Sequence, residues 1–334
     1  MNYWALCFVS HKSSMAIYRY WLSLTKERWL VISNWRYCPT ATRSNVQEST
    51  MVQTERTIKK WSARDAAKCI VIPSDLDHKY SRGVLGVITG SAQYPGAAVL
   101  STSAAAATGI GMIRFHSSSG LAHLVLHSTP SCVVQPGKTT AWLIGSGIPA
   151  KKYSDFSTWL RHRWFALAYK QTVPTVLDAG ALYLAGSLEQ PTLITPHSGE
   201  LANLFNARGV LVTAEAIEGD PKKWVKTAAQ TFGVTVLLKG AVTYVANDQS
   251  LIELPRATPW LATAGSGDVL AGIIGALVAT NTVEILNDLN RLAEVAATGA
   301  YIHASAAKNA SRGGPISAEN IVDEISGAIT QLIK

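Results

Sequence analysis

Residues 262–272 read Ala-Thr-Ala-Gly-Ser-Gly-Asp-Val-Leu-Ala-Gly, an order of residue types that suits phosphate chemistry. Small residues, with Gly265 and Gly267 among them, lead into Asp268. Apolar residues at helical spacing (Val269, Leu270, Ile273, Ile274, Leu277, Val278) follow at once. A glycine-rich turn opening a helix offers an anion free backbone N–H groups and the positive end of the helix dipole. Glycine lets the backbone approach a phosphate closely. Asp268 then sits where it can take a proton from a hydroxyl beside that phosphate. The same stretch also fits a buried helix with an acid in its first turn, where acids are favoured anyway.

Other stretches pair chemistry-bearing residues with turns. Lys239-Gly240-Ala241-Val242-Thr243 puts a cation, a flexible turn and a hydroxyl after a β-branched run. It reads as a cradle for a nucleotide phosphate or ribose, or as a turn with a solvated lysine. In Thr195-Pro196-His197-Ser198-Gly199-Glu200, His197 is either a ligand-facing donor or part of a turn that Ser198 caps and Glu200 stabilises through the dipole. Asp178 ends a short apolar run. It could hold Mg²⁺ through water, orient a loop, or accept backbone N–H bonds. Tyr94-Pro95-Gly96-Ala97-Ala98 opens an alanine-rich run and brings backbone to a helix start. Gly145-Ser146-Gly147-Ile148-Pro149-Ala150 has the G-x-G-x-x-A form of a dinucleotide turn, but Pro149 is awkward there and no acid follows about 20 residues on. There is no G-x-x-x-x-G-K-[ST] loop.

The elements that must position these residues alternate. Strands are expected over 83–90, 112–115, 124–126, 141–144, 175–177, 193–195 and 234–238, with 243–247 as hairpin partner of the last and 251–254 beside it. Helices are expected over 97–108, 153–167, 200–205, 224–232, 269–278, 291–307 and 318–333. Such alternation predicts an α/β fold, a mostly parallel central sheet with helices on both faces. Ligands of such sheets lie beyond the carboxyl ends of the strands. The turns at 90–97, 145–147, 178–180, 196–200, 239–243 and 264–268 all fall at that edge.

Composition supports a large core: 48% of the 334 residues are hydrophobic and 16% charged. The formal net charge of +8 comes from scattered Lys and Arg with no dense basic stripe, which argues against nucleic-acid binding. Four cysteines (Cys7, Cys38, Cys69, Cys132) form no C-x-x-C pair and no metal spacing with histidine, so reduced thiols and a cytoplasmic location are expected. The apolar run 269–279 is too short to cross a bilayer, which needs about 20 residues. His303 lies in a small-residue run and reads as a satisfied core group. Residues 1–57 are rich in Trp and Tyr without a sustained period, and 40–55 resemble a linker. They read as a poorly ordered extension, with Met51 a plausible start, ahead of one domain over 58–334.

Together these motifs resemble the ADP/ATP-dependent NAD(P)H-hydrate dehydratases of the ribokinase-like superfamily. The resemblance runs from about Asp77 to Ile325. It rests on His78-Lys79-Tyr80-Ser81-Arg82-Gly83, on Gly90-Ser91 with Tyr94–Ala98, on Leu177-Asp178-Ala179, on Thr195–Glu200, on Leu238–Ala241 with Thr243, and on Ala262–Gly272. It implies a ribokinase-like three-layer sandwich that repairs the S-epimer of hydrated NADH or NADPH. It implies ADP or ATP as co-substrate, Mg²⁺, and a homo-oligomer, a tetramer by family resemblance, without membrane or nucleic-acid partners. Asp268 would be the catalytic base and also touch substrate, with Ala97, Gly147 and His197 on the hydrated nicotinamide nucleotide. Lys239, Gly240, Ala241, Val242, Thr243 and Gly267 would bind the adenine nucleotide. Ala264, Gly265, Ser266 and Gly267 would form the anion hole, and metal ligands stay unassigned. A ribokinase-like vitamin-precursor kinase, which would stop at the phosphate ester, is the alternative. Against the family pattern, Ser266 replaces Thr, Ala264 replaces Gly, Ser198 replaces Pro, Gly180 replaces a second acid, and the 145–149 loop lacks the P-G-x-G form.

Overall fold

The computed structural model describes residues 58–150 and 156–334. The described residues all belong to one compact unit. The expectations for 1–57, and Cys7 and Cys38 with them, lie outside the described residues.

The elements run β1 (Lys59–Lys60), α1 (Ala63–Ala67), β2 (Val84–Ile88), α2 (Pro95–Ala107), β3 (Met112–Phe115), α3 (Ser119–Ser128), β4 (Ala141–Ile144), α4 (Phe156–Trp164), α5 (Ala166–Tyr169), β5 (Thr175–Leu177), β6 (Thr192–Ile194), α6 (Ser198–Ala207), α7 (Ala214–Gly219), α8 (Pro221–Phe232), β7 (Thr235–Leu238), β8 (Tyr244–Ala246), β9 (Leu251–Glu253), α9 (Ser266–Thr280), α10 (Thr282–Asn287), α11 (Asn290–Ser311) and α12 (Ala318–Ile333), with a 3₁₀ turn at Ala179–Leu184. The nine strands form one sheet in the order β1-β9-β8-β7-β6-β5-β4-β2-β3. Every pairing is parallel except those of β8 with β7 and with β9.

Side chains along each strand alternate between two apolar layers, as the pleat demands. Leu85, Val87, Leu143, Val176, Leu193 and Leu237 face α2, α9, α11 and α12. Ile88, Trp142, Ile144, Leu177, Ile194 and Val236 face the layer containing α6 and α8. The expected α/β sandwich is therefore present. Strand order reverses at β2, which lies between β3 and β4, so the loops after β2 and β4 part from each other at the carboxyl edge. A crevice forms at such a switch point.

Helix α9 is buried along almost its whole length, which explains its nearly unbroken apolar sequence. It packs against α2 at close range. A Cβ on Gly272 would strike the Ser101 backbone oxygen and come within 2.9 Å of the Ala104 Cβ. This small-residue seam sets the start of α9 beside α2, where Gly265 sits against Leu100.

The segment 124–126 corrects the expectation of a strand. It lies inside α3, whose buried residues Leu121, Ala122 and Val125 recur at helical spacing. A three-residue apolar run is ambiguous until its flanks are read with it. Helices α1, α7 and α10 have five or six residues each and were too short to show a period. Cys69 and Cys132 are free and buried, and burial pushes the Cys132 thiol up to about 12. No helix among the described residues is long and apolar enough to cross a membrane.

Candidate active site

The turn before α9 is built by Gly265, which takes a left-handed conformation at φ +85° as the N-cap. That conformation is inexpensive only for glycine. Helix geometry leaves the N–H groups of the first turn, Ser266 to Asp268, without acceptors inside the helix. Ser266 turns its hydroxyl inward, 3.3 Å from the His303 Nε2. Burial drops the His303 pKa to about 4, so the ring is neutral. His303 is the satisfied core group expected, and its partner belongs to the turn before α9.

Asp268 lies in the first turn of α9, partly buried. Burial first, then the negative charge of Asp178, push its carboxyl up to about 7, against the pull of Lys239. It lines a cleft of about 480 Å³ together with Tyr94, Ala97, Gly147, Ile148 and Ala179. This is the crevice between the β2 and β4 loops. Ala97 is 5% exposed, and the Gly147 backbone, at φ +63°, lies so close that a Cβ there would collide with the Ala97 Cβ.

Lys239 follows β7, and its side chain reaches the same edge. Its Nζ lies 3.8 Å from where a Cβ on Gly267 would be. Lys239 and Gly267, 28 residues apart in sequence, thus meet in space. The ammonium is 3.1 Å from Asp178 Oδ1 and 3.6 Å from Glu200 Oε2. Burial works against its charge, but Asp178, Glu200 and Asp268 outweigh burial and hold its pKa above the ordinary value.

Asp178 resolves the alternatives left open for it. It is 4% exposed. Its carboxylate accepts from Ser146 Oγ at 2.9 Å, Thr195 Oγ1 at 2.8 Å and Lys239 Nζ at 3.1 Å. Its partners are side chains from other loops, where backbone N–H groups had been one expectation. Ala179 beside it adopts φ +42°. A side chain on Gly180 would run into the carbonyl oxygens of Ile148 and Pro149. The 145–149 loop therefore occupies the space that a second acid would need.

His197 corrects one reading. His197 itself, and not Ser198, is the N-cap of α6. Its Nδ1 accepts from the N–H of Gly199 at 3.1 Å and of Glu200 at 3.4 Å, while Glu200 accepts from the His197 N–H at 2.9 Å. The ring stays exposed, and His197 pairs with Lys239 across a parallel bridge. It sits at the common edge but does not line the Asp268 cleft.

Gly240 and Ala241 are exposed, and Val242 and Thr243 partly so. The Ala241 and Thr243 carbonyls accept from Ala257 at 3.3 Å and Leu254 at 3.0 Å. This ties the lysine turn to a second cleft of about 500 Å³ between residues 254–258 and α11, with Arg256, Tyr301 and Lys308 in its lining. Sequence reasoning did not single out this cleft. The Arg256 and Lys308 charges were its only local sign.

A family model described as NAD(P)H-hydrate dehydratase matches residues 85–326. The bifunctional NAD(P)H-hydrate repair enzyme Nnr of Mycobacterium tuberculosis is 38% identical over 235 residues, covering 66% of this chain and 46% of that protein. The chain thus spans about half the length of the first of the curated relatives it matches. The ADP-dependent (S)-NAD(P)H-hydrate dehydratase of Neisseria meningitidis is 30% identical over 270 residues, 75% of this chain and 85% of that one. The crystal structure of the ADP/ATP-dependent NAD(P)H-hydrate dehydratase of Bacillus subtilis, co-crystallised with ATP/Mg²⁺, shares the fold. Its TM-score is 0.70 at 21% identity, over 82% of this chain and 99% of that one. With 85–326 matched along its length, the chain belongs to the NAD(P)H-hydrate dehydratase family.

Proposed function

We propose that the chain is an ADP-dependent, or ATP-dependent, (S)-NAD(P)H-hydrate dehydratase, a hydro-lyase that restores NADH and NADPH. The observation that carries this reading is the meeting of Asp268, in the first turn of α9, with the Lys239 ammonium beside Gly267, at the mouth of the Ala97–Gly147 cleft. The end phosphate of the nucleotide rests on the Ala264–Gly267 turn, with Lys239 countering its charge. The rest of the nucleotide runs along Lys239–Thr243 toward the 254–258 cleft. The hydrated nicotinamide ring enters between Ala97 and Gly147, with His197 at the rim.

The chemistry balances as follows in this site. Asp268 takes the proton of the ring hydroxyl, and that oxygen attacks the terminal phosphorus. The bond to the bridging oxygen breaks, releasing AMP from ADP or ADP from ATP. The ring nitrogen lone pair then expels the phosphate ester by C–O cleavage. The neighbouring ring carbon then gives its proton to the departing phosphate or to water, and the double bond returns. A base with a pKa near 7 suits this work at neutral pH.

Mg²⁺ commonly neutralises charge in phosphoryl transfer. Among the described residues no group of three or more His, Cys, Asp or Glu could hold a metal. Both Asp178 oxygens are occupied by Ser146, Thr195 and Lys239. The described residues offer no cage of their own, so the ion would be held by nucleotide phosphates and water. Cytoplasmic location, which rests on the unpaired cysteines, and homo-oligomeric assembly, which rests on the family resemblance, belong to the same proposal.

The test is incubation of the full chain with hydrated NADH, Mg²⁺ and either ADP or ATP. Return of reduced-nicotinamide absorbance with matching phosphate release is expected. A vitamin-precursor kinase would give neither with this substrate, and that result would overturn the reading. Gly147→Ala should raise the KM for the hydrate several-fold while the nucleotide KM changes little, because its Cβ invades the Ala97 side of the cleft. The left-handed backbone adds a cost of about 1–2 kcal/mol to the fold. Thermal melting and the two KM values check both parts.

A further inference from the structure

We infer that Asp178 is a positioning residue for the proposed reaction: its single carboxylate clamps the loops after β4, β6 and β7 and aims the Lys239 ammonium at the first turn of α9. The inference rests on the function proposed above. Asp178 itself follows β5, so four neighbouring strands, in the order β7-β6-β5-β4, deliver one member each. Ser146 comes from the β4 loop, Thr195 from the end of β6 and Lys239 from the end of β7. Their distances to the carboxylate are 2.9, 2.8 and 3.1 Å. Thr195 Oγ1 and Lys239 Nζ share the same oxygen, Oδ1. The hydroxyl thus fixes the atom on which the ammonium rests.

A buried carboxylate held this way differs from a simple core ion pair, because both ends touch the chemistry. Gly147, one residue past Ser146, lines the substrate cleft. Lys239 lies over Gly267. The charged groups facing Asp268 are Asp178 and Lys239, with Glu200 beside Lys239 and neutral His303 behind Ser266. Removing the Asp178 charge leaves Lys239 with Glu200 at 3.6 Å as its fallback. The lysine then stays charged but shifts toward α6. Nucleotide should still bind, since one negative charge near its phosphates is gone, while alignment in the transition state is lost. The signature is a fall in kcat without a rise in nucleotide KM.

Four full-length enzymes test this: wild type, Asp178→Asn, Lys239→Met and the double variant. Asp178→Asn is expected to lose about 10²-fold in kcat, on the scale of one misaligned electrostatic donor, with nucleotide KM unchanged or lower. The acid limb of its pH–rate profile should move below that of wild type, because a like charge no longer opposes ionisation of Asp268. The double variant should be no slower than Lys239→Met alone, as residues acting through one another are non-additive. Parallel loss of kcat and affinity with an unmoved acid limb, or additive losses in the double variant, would overturn the inference. If Asp178→Asn does not fold, Thr195→Val loosens the same oxygen. A fall of about 10-fold in kcat at constant KM supports the clamp, and unchanged kcat refutes it. If the wild type is inert on hydrated NADH, it is the function reading that fails. The clamp is then read from amide hydrogen exchange in the loops after β4, β6 and β7: faster exchange in the variant supports it, and unchanged exchange refutes it.

Discussion

Asp268→Asn should lose about 10²-fold or more in turnover, the range expected for a positioned base, while nucleotide affinity stays close to wild type. The amide keeps the shape of the side chain and cannot accept the hydroxyl proton. The same substitution should raise stability at alkaline pH. The Asp268 carboxyl, with an ordinary pKa of 3.8, sits at about 7 in the folded protein. Its contribution to stability is complete below about pH 4, where both states are protonated. Between pH 4 and 7 the unfolded chain ionises first and stability falls; above pH 7 the loss is complete. At the limit a three-unit rise corresponds to about 4 kcal/mol. Asp268→Asn removes this penalty, so its melting temperature should exceed wild type by several degrees at pH 8, with the gap closing toward pH 4. Melting curves at both pH values, beside turnover at pH 8, check the two halves. A variant that is both slow and less stable at pH 8 would contradict the placement of this carboxyl.

Lys239→Met should be the most damaging single change at the site for both fold and function. It leaves Asp178, 4% exposed, without its cation, and breaking a buried pair from one side costs about 3–5 kcal/mol. The Ser146 and Thr195 hydroxyls remain and soften that loss. Function should fall as well, because the lysine ammonium lies beside Gly267. A rise in nucleotide Kd together with a 10²- to 10³-fold fall in kcat/KM, about 3–4 kcal/mol, is expected. Urea melts and nucleotide titration of the folded variant separate the two effects. Wild-type affinity in a folded Lys239→Met protein would remove the lysine from the phosphate site.

Much of this site could be read before the structure because it leaves local marks. Gly265 and Gly267 ahead of Asp268 signal a special backbone before an apolar helix, and the helix starts there. The Lys239 turn follows a β-branched run, and β7 ends one residue before it. The sheet edge that gathers these turns follows from strands alternating with helices. The supporting contacts leave no such mark. Asp178 draws partners from 17, 32 and 61 residues away, and Ser266 meets His303 across 37. Nothing in a local pattern joins positions that far apart. Ser198 is the more familiar cap in this turn, but a histidine Nδ1 can cap a helix as an aspartate does, and here it does. Gly180 looked like a missing acid, and the reason for it, the 145–149 loop lying on top, is visible only in three dimensions.

The central claim is that the ring hydroxyl itself becomes the attacking oxygen at a phosphate gripped before Asp268. Hydrated NADH carrying oxygen-18 in that hydroxyl tests it in a single turnover with ADP or ATP. The label is expected to leave in inorganic phosphate, because C–O cleavage follows phosphoryl transfer. Recovery of the label in water, with unlabelled phosphate, would contradict it.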